Sequence, residues 1–523
     1  MTTLATTPPL IRSLQNPALY PHEADDILLI ETHISWVILA GNHAYKIKKP
    51  LDLGFLDFST VEKRHHYCLE ELRLNKRLAP DIYLDVVTIN GSESRPKLDG
   101  RGAVIDYAVK MRRFNHHRTF DHLLQRQLLT AEHIRQTARI IAEFHDRITP
   151  AADASRYGLP DTVMQPVREN FMQIERLQEI EHPGLLSSLK QWSERAFIAL
   201  QPALLQRKQD GFIRECHGDL HLGNIVLIDD TPVPFDGIEF NPALYWIDVI
   251  SEVAFLVMDL ADNWRIDLAF RFLNDYLQHT GDYAALKLLR FYLVYRAMVR
   301  TKVSAIRACQ PIDNKQRQQA EEAYRTYLRL ANDFTQPPSP RLWLMHGISA
   351  SGKSWLSEQM LERLPAIRIR SDVERKRLFP PASFQSKPAG FGQGLYNADA
   401  TRQTYDRLLQ LARTILAAGF DVIVDATFLQ RQQRRPFLEL AEIIGVPIAI
   451  IQTIADQEML DQRLRQRAQQ LDNVSDADRE VLRHQLQALQ PLSDLELNYT
   501  YRIDTGRAET LTQFWNYLDE FKH

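Results

Sequence analysis

Cysteine is scarce: 523 residues carry only Cys68, Cys216 and Cys309. Three widely spaced cysteines make neither a disulfide framework nor a zinc cluster, and small buried residues are expected instead. No apolar run approaches the ~18 residues that would suggest a membrane span. The opening MTTLATTPPL lacks a basic region followed by an apolar one, so it does not read as a secretory leader. Neither sign of charge dominates. Lys and Arg number 63 against 66 Asp and Glu, a net charge of −3, which argues against a general nucleic-acid coat or a membrane-surface protein but leaves room for a local basic groove. Internal repeats and low-complexity tracts are absent. Together these absences predict a cytoplasmic protein without membrane contact.

What is present is a globular composition, 45% hydrophobic and 25% charged, on a chain too long for one ordinary core. The clearest boundary is NDFTQPPSPRLWLMHG, where Pro337, Pro338 and Pro340 stop a helix and favour an extended linker. This predicts a domain over 1–336, a linker over 337–340 and a domain over 341–523. The first opens with strand-like runs DILLIE, ISWVILA and HAYKIKK, the last two joined by Gly41-Asn42, a tight hairpin turn. A helical run, STVEKRHHYCLEELRLNKRLA, follows. DIYLDVVTI and AVIDYAVKM then read as strands around a polar turn, Asn90 to Gly102. The pattern predicts a small β-rich lobe over about 25–113 and a helical lobe over about 117–330, an α+β bilobal domain. In the second domain RLWLMH, AIRIR, DVIVD, VPIAIIQTI and YRIDT alternate with helical segments, which predicts an α/β fold with a parallel, doubly wound five-stranded sheet.

One hairpin interrupts the helical lobe: CHGDLHLGNIVLIDDTPVPFDGIEF, from Cys216 to Phe240. Counting outward from the DDTP turn, Asn224 and Asp236 fall nearly opposite each other at the open end, with Asp219 in the entering loop. An amide oxygen and a carboxylate so placed can hold Mg2+ while Asp219 orients an attacking hydroxyl. A polar hairpin with an Asx turn is the plainer alternative. His217 reads as a hydrogen-bonder bracing the loop rather than a base. Asp248 reads as a second brace from a helix, or as a surface charge. A cation for phosphate is offered by AYKIKKP, where Lys46 and Lys48 share one strand face. A charged strand end that simply faces water is the plainer alternative.

The stretch GISASGKS, Gly347 to Ser354, fits Gly-x-x-x-x-Gly-Lys-Ser between a strand and a helix, the context a phosphate-binding loop requires. Gly347 and Gly352 let the backbone of Ser349, Ala350 and Ser351 curl around phosphate oxygens. Lys353 reaches the outer phosphates and Ser354 binds Mg2+, with the helix N-terminus adding favourable dipole. Asp425 ends the apolar strand in FDVIVDAT, where an acid can support the same ion. Asp372 in IRSDVERKRL is a candidate catalytic carboxylate, or a helix N-cap, with Arg375 three residues on. Arg463 and Arg467 share a helix face and suit a phosphate-clamping lid, or a solvated basic face. The long Pro- and Gly-rich stretch Phe379 to Gly394 suits a lid or a disordered segment.

The spacing of Asp219 and Asn224, followed by Asp236, matches the catalytic loop and metal-binding Asp of protein kinases, but HGDLHLGN and FDGIE replace their usual wording. No Ala-Pro-Glu segment follows and no Gly-x-Gly-x-x-Gly lies near the start. The first domain therefore resembles the aminoglycoside phosphotransferase and choline kinase branch of the kinase fold. By that resemblance Asp219 is the catalytic Asp, Asn224 and Asp236 hold metal, and Lys46 is the strand lysine, its partner acid on the following helix at Glu71 or Glu70 unless that glutamate simply faces water. The element Asp372-x-x-Arg375 resembles that of gluconate kinase, polynucleotide 5′-kinase and zeta-toxin-like P-loop enzymes, where the Asp accepts the substrate hydroxyl proton. The whole chain resembles bacterial fusions of the two kinds of domain. That resemblance implies two phosphotransferase sites using ATP and Mg2+, each with a small-molecule hydroxyl as acceptor. A regulatory P-loop domain, or one acting on nucleic-acid 5′ ends, are the alternatives.

Overall fold

Alternating side chains in the first 113 residues fold into a sheet whose two faces do different work. A computed structural model describes residues 7–52, 54, 56–177, 182–310, 313–380, 398–468 and 479–521. Strands Ile27–Glu31 (β1), Ser35–Ala40 (β2), His43–Lys48 (β3), Tyr83–Ser92 (β4), Arg95–Leu98 (β5) and Val104–Arg112 (β6) form an antiparallel sheet in the order β1-β2-β3-β6-β4-β5. Because side chains alternate along a strand, Tyr45 and Ile47 pack with Ile11, Leu14, Ile38 and Ala108 on one face. Ala44, Lys46 and Lys48 take the other. There Ala44 packs with Cys68 from helix Val61–Asn75, and with Tyr83 and Val226. The β2–β3 turn is Gly41-Asn42, as the sequence predicts. Gly41 has φ +55, and a Cβ there would lie 2.1 Å from the Glu23 carbonyl oxygen, so only glycine fits. The polar stretch after Asn90 is not all turn, since Arg95–Leu98 returns along β4 as a short edge strand.

Contacts group the chain into two compact units, Met1–Asn263 with Phe291–Asn332, and Trp264–Arg290 with Asp333–His523. In the first unit, helices follow the sheet and are interrupted by short strands Ile213–Glu215 (β7), Ile225–Ile228 (β8), Thr231–Pro234 (β9) and Trp246–Asp248 (β10). β8 and β9 pair through a two-residue turn, Asp229-Asp230, with φ 47 and 59. Both values are positive, as the tightest hairpin turn requires, and short polar side chains tolerate them.

The second unit holds strands Leu342–His346 (β11), Ala366–Arg370 (β12), Asp421–Asp425 (β13), Ile448–Ile454 (β14) and Thr500–Asp504 (β15), all parallel, in the order β12-β13-β11-β14-β15. Their near-continuous apolar sequences fit strands covered on both faces. Trp343, Met345, Ile423 and Ile451 pack there with Leu356 and Phe514 from flanking helices. The strand order reverses beside β11, so the loop after it opens into the crevice where such sheets bind ligands.

The grouping differs from a single cut near residue 337. Helix Ile266–Thr280 belongs with the parallel sheet, where it covers the edge strand β12. Asn274 donates to the Ala366 carbonyl at 2.8 Å and accepts from the Arg368 amide at 2.7 Å. Arg271 pairs with Glu358 at 3.1 Å, and the Arg290 guanidinium sits 4.3 Å from the Phe420 ring centre. An uncovered strand edge leaves backbone groups seeking partners. Asn274→Leu should therefore destabilise the second unit by about 2 kcal/mol, the cost of orphaning buried polar groups. Chemical denaturation followed by tryptophan fluorescence reads this. A fragment starting at Asp333 should be less stable still.

Candidate active sites

The β8–β9 hairpin brings its three polar residues together through backbone geometry. Asn224 precedes β8 and accepts the Phe235 amide at 2.9 Å. Its side-chain nitrogen donates to Asp219 Oδ2 and to the Asp219 carbonyl, both at 3.0 Å. Asp236 follows β9 in a left-handed conformation, φ 60, with its amide bonded to the Tyr83 hydroxyl at 3.0 Å. Lys46 closes the group, 2.5 Å from Asp236 Oδ1 and 2.8 Å from Glu71 Oε1. Of the two candidate partners, Glu71 is the buried one; Glu70 pairs with Arg73 at 2.9 Å. Lys46, Asp219 and Asp236 line a cavity of about 520 Å3, with Val37, Ala44 and Met111 forming apolar wall.

Charge in this cavity is set by close partners. Burial alone would raise the Asp219 carboxyl, but His221, 3.5 Å away, together with His217 and Arg300, holds it well below the carboxylate range. Burial likewise would lower His221, and Asp219 outweighs it and raises it. Lys46 stays a cation because Asp236 and Glu71 overcome its desolvation. Burial keeps His217 low and neutral. His217 Nε2 donates to the Phe235 carbonyl at 2.8 Å and Nδ1 accepts the Asp219 amide at 3.3 Å, the bracing role expected of it.

Asp248 does not brace this loop. It caps helix Val249–Asp262 and is gripped by Arg207 at 2.5 and 2.7 Å. The loop is braced instead by Glu252, which accepts the Gly218 amide at 2.7 Å and pairs with His145 at 2.8 Å. Asp259 accepts the Leu222 amide at 2.8 Å, and Arg296 donates to the Gly218 carbonyl at 3.1 Å. Nothing in the hairpin's own sequence points to Glu252, Asp259 or Arg296, which lie on helices that follow it. The unusual signal was acid within an apolar helix, VISEVAFLVMDLAD.

In the second unit, the loop after β11 is strained where the motif requires it. Gly347 has φ +145 and Gly352 φ +94, and a Cβ on either would lie under 3.0 Å from Thr453 or Thr505. Ala350 is also left-handed, φ 64. Ser351 Oγ lies 2.7 Å from Thr453 Oγ1, which ties the loop to β14. Helix Lys353–Leu361 starts directly after Gly352. Lys353 Nζ donates to the Ile348 carbonyl at 2.6 Å, and the Ser349 amide donates to Gln485 Oε1 at 2.7 Å. Ser354 and Ser357 hydroxyls donate to the two oxygens of Asp425 at 3.2 and 3.3 Å. Ser349, Lys353, Ser354, Asp372, Arg375 and Asp425 all line a cavity of about 1340 Å3.

Asp372 stands in the first turn of helix Ser371–Leu378 and not at its cap, which is Arg370. Burial, then Asp425, raises its carboxyl. Arg463 departs from both expectations. Its guanidinium bonds the Ala350 carbonyl at 3.2 Å, Thr505 Oγ1 at 2.8 Å and the Thr505 carbonyl at 3.1 Å, so it buttresses the loop and does not line the cavity. The Arg467 side chain, and residues 381–394 of the expected lid, lie outside the described residues. Among the described residues no helix is long and apolar enough to cross a membrane.

These features define a chain that joins a kinase-like α+β domain to a P-loop domain. Residues 342–492 match the AAA domain family AAA_33. The uncharacterized proteins Rv2004c of Mycobacterium tuberculosis and Mb2027c of Mycobacterium bovis are each 30% identical over 439 residues, 84% of this chain and 86% of theirs. The chain belongs to the same family as these mycobacterial proteins. Among solved structures, the amicoumacin kinase hAmiN aligns at 11% identity and TM-score 0.39, over 61% of this chain and 93% of its own. A gluconokinase from Sinorhizobium meliloti aligns at 20% identity and TM-score 0.25, over 35% of this chain and 99% of its own.

The Asp219–His221 pair has a signed pH dependence. A lowered carboxyl stabilises the fold above its ordinary value of 3.8, and this is lost as pH falls. A raised imidazole stabilises below its ordinary 6.5, and this is lost as pH rises through the folded value. The stability difference between wild type and His221→Gln should therefore be larger at about pH 5 than at about pH 8. Thermal unfolding at both values measures it.

Proposed function

We propose that the chain is an ATP-dependent phosphotransferase with two nucleotide sites, each passing the γ-phosphoryl group to a hydroxyl of a small molecule. The observation that carries this reading is the convergence of Lys46, Asp219 and Asp236 on one cavity, with Asn224 bonded to Asp219. Lys46 is the cation for the phosphates. Asn224 turns its nitrogen toward Asp219 and toward the Asp236 carbonyl, 3.4 Å away, so its amide oxygen is the hard donor that would join the half-exposed Asp236 carboxylate. An amide oxygen and a carboxylate suit Mg2+, which when bound supplies charge neutralisation on the phosphate oxygens. Asp219, held ionised at neutral pH, accepts the hydrogen bond of the acceptor hydroxyl and aligns it for attack.

In the second unit the Gly347–Ser354 backbone and Lys353 take the phosphates, and Ser354 with Asp425 forms the oxygen pair suited to Mg2+. Asp372, made less acidic by burial and Asp425, is the proton acceptor for the second hydroxyl. Arg463 contributes by holding the loop. One observation favours a second reading, in which this unit binds ATP as a switch: Ser349 and Lys353 direct their donors to Gln485 and Ile348, oxygens of the protein itself.

The test uses γ-labelled ATP, Mg2+ and a cytosolic metabolite extract with wild type, Asp219→Asn, Lys353→Ala and the double variant. Asp219→Asn should slow one labelled product by about 10²–10⁴-fold, the usual value of a positioned base. Lys353→Ala should abolish a different product. A Lys353→Ala variant that changes only the amount of one product supports the switch. An unchanged product set with Asp219→Asn removes the first site from the account. Label on oligonucleotide ends would replace the small-molecule acceptor of the second site.

A further inference from the structure

Lys48 has no part in the chemistry above, yet it is one of the most deeply buried charges in the chain. It shares the helix-facing side of β3 with Lys46. Its side chain is wholly shielded from solvent, so it cannot touch a phosphate. It is nevertheless paired twice, with Glu71 Oε2 at 2.7 Å and with Glu239 Oε1. Glu71 divides its carboxylate between the two lysines, with Oε1 2.8 Å from Lys46. Lys46 in turn holds Asp236 at 2.5 Å. Glu239 lies only three residues after Asp236. The side chains Asp236, Lys46, Glu71, Lys48 and Glu239 therefore form a chain of ion pairs that the backbone from 236 to 239 closes into a ring.

The ring passes through the segment that carries Asp236 out of the hairpin. Asp236 is left-handed, a conformation its short polar side chain tolerates and that aims it away from the strand direction of its neighbours. Within the segment, the Gly237 amide donates to Asn75 Oδ1 at 2.7 Å and the Ile238 amide to the His217 carbonyl at 3.0 Å. Those bonds fix the middle of the segment. Lys46 fixes one end and Lys48 the other. Stability does not account for such a device, because buried ion pairs are commonly matched or bettered by apolar residues of similar volume. Positioning does.

We propose that Lys48 and Glu239 are positioning residues. Through Glu71 and the 236–239 backbone they hold Asp236 against Lys46 and Asn224, and so set the affinity of this site for the Mg2+ complex of ATP. The proposal rests on reading the first unit as a nucleotide site, and the experiment separates the two. ATP binding is measured by calorimetry, with Mg2+ and with EDTA, on full-length chains that all carry Lys353→Ala to silence the second unit. Lys48→Met with Glu239→Leu replaces the pair by apolar volume. Its melting temperature should match or exceed that of the parent, while affinity in Mg2+ falls about 10–100-fold, the usual effect of removing support behind a metal ligand. Affinity in EDTA should not change. A folded double variant with parental affinity in Mg2+, or with equal losses in both conditions, overturns the proposal.

If the double variant does not fold, Glu239→Gln decides. It keeps size and an acceptor for Lys48, and a smaller loss confined to Mg2+ supports the proposal, while no loss overturns it. Lys46→Met tests the underlying reading. If it retains full ATP affinity, the first unit is no nucleotide site and the proposal falls with it. If Lys46→Met abolishes binding while the Lys48 and Glu239 variants do not alter it, only the proposal fails.

Discussion

Charge withdrawn from water must find a partner, and in both units that requirement decides which elements meet. Lys46 is the sharpest case. Its ammonium lies on a strand of the small lobe and needs acids that the same strand cannot supply. Glu71 comes from the neighbouring helix, and Asp236 from a hairpin 190 residues later in the chain. Once those three are paired, the sheet, the helix and the hairpin have fixed positions around one cavity. Asp219 extends the logic into the helical lobe, since its carboxylate depends on His221 and its loop on Glu252, Asp259 and Arg296.

The second unit meets the same constraint with backbone as well as side chains. The loop after β11 turns through the positive-φ residues Gly347, Ala350 and Gly352, and Ser351, Arg463 and Thr505 hold that shape. Asp425 shares its two oxygens with two serine hydroxyls. Edge strand β12, which carries Arg370 to the cavity rim, is covered by a helix contributed from residues 266–280. That cover ties the unit to sequence that lies outside its continuous stretch.

Much of this was legible in the sequence where function and proximity coincide. Asp219, Asn224 and Asp236 lie on one short hairpin, so counting from its turn placed them correctly. The phosphate loop was legible because glycine spacing and the strand–helix context are both local. The two-lobed α+β domain and the five-stranded parallel sheet follow from strand alternation and from strand–helix alternation, and the kinase-like character of the first from its resemblance at the hairpin motif. What was illegible depends on long-range partners. Nothing in the pattern of Ile266–Thr280 says which sheet it covers, because an amphipathic helix looks the same against either. The place of Arg463 is not legible, since it bonds two backbone carbonyls and the hydroxyl of Thr505, 42 residues further along the chain. Glu252 took the role expected of Asp248 because both acids stand near one helix start, and only packing decides which faces the loop.

The central claim is that one chain holds two separate nucleotide sites, each anchored by its own lysine. The direct measurement is the stoichiometry of ATP binding in the presence of Mg2+, by equilibrium dialysis, for wild type, Lys46→Met, Lys353→Ala and the double variant. The account predicts two ATP molecules per wild-type chain, one for each single variant and none for the double. A wild-type chain that saturates at one ATP, with binding lost entirely in either single variant alone, would contradict it.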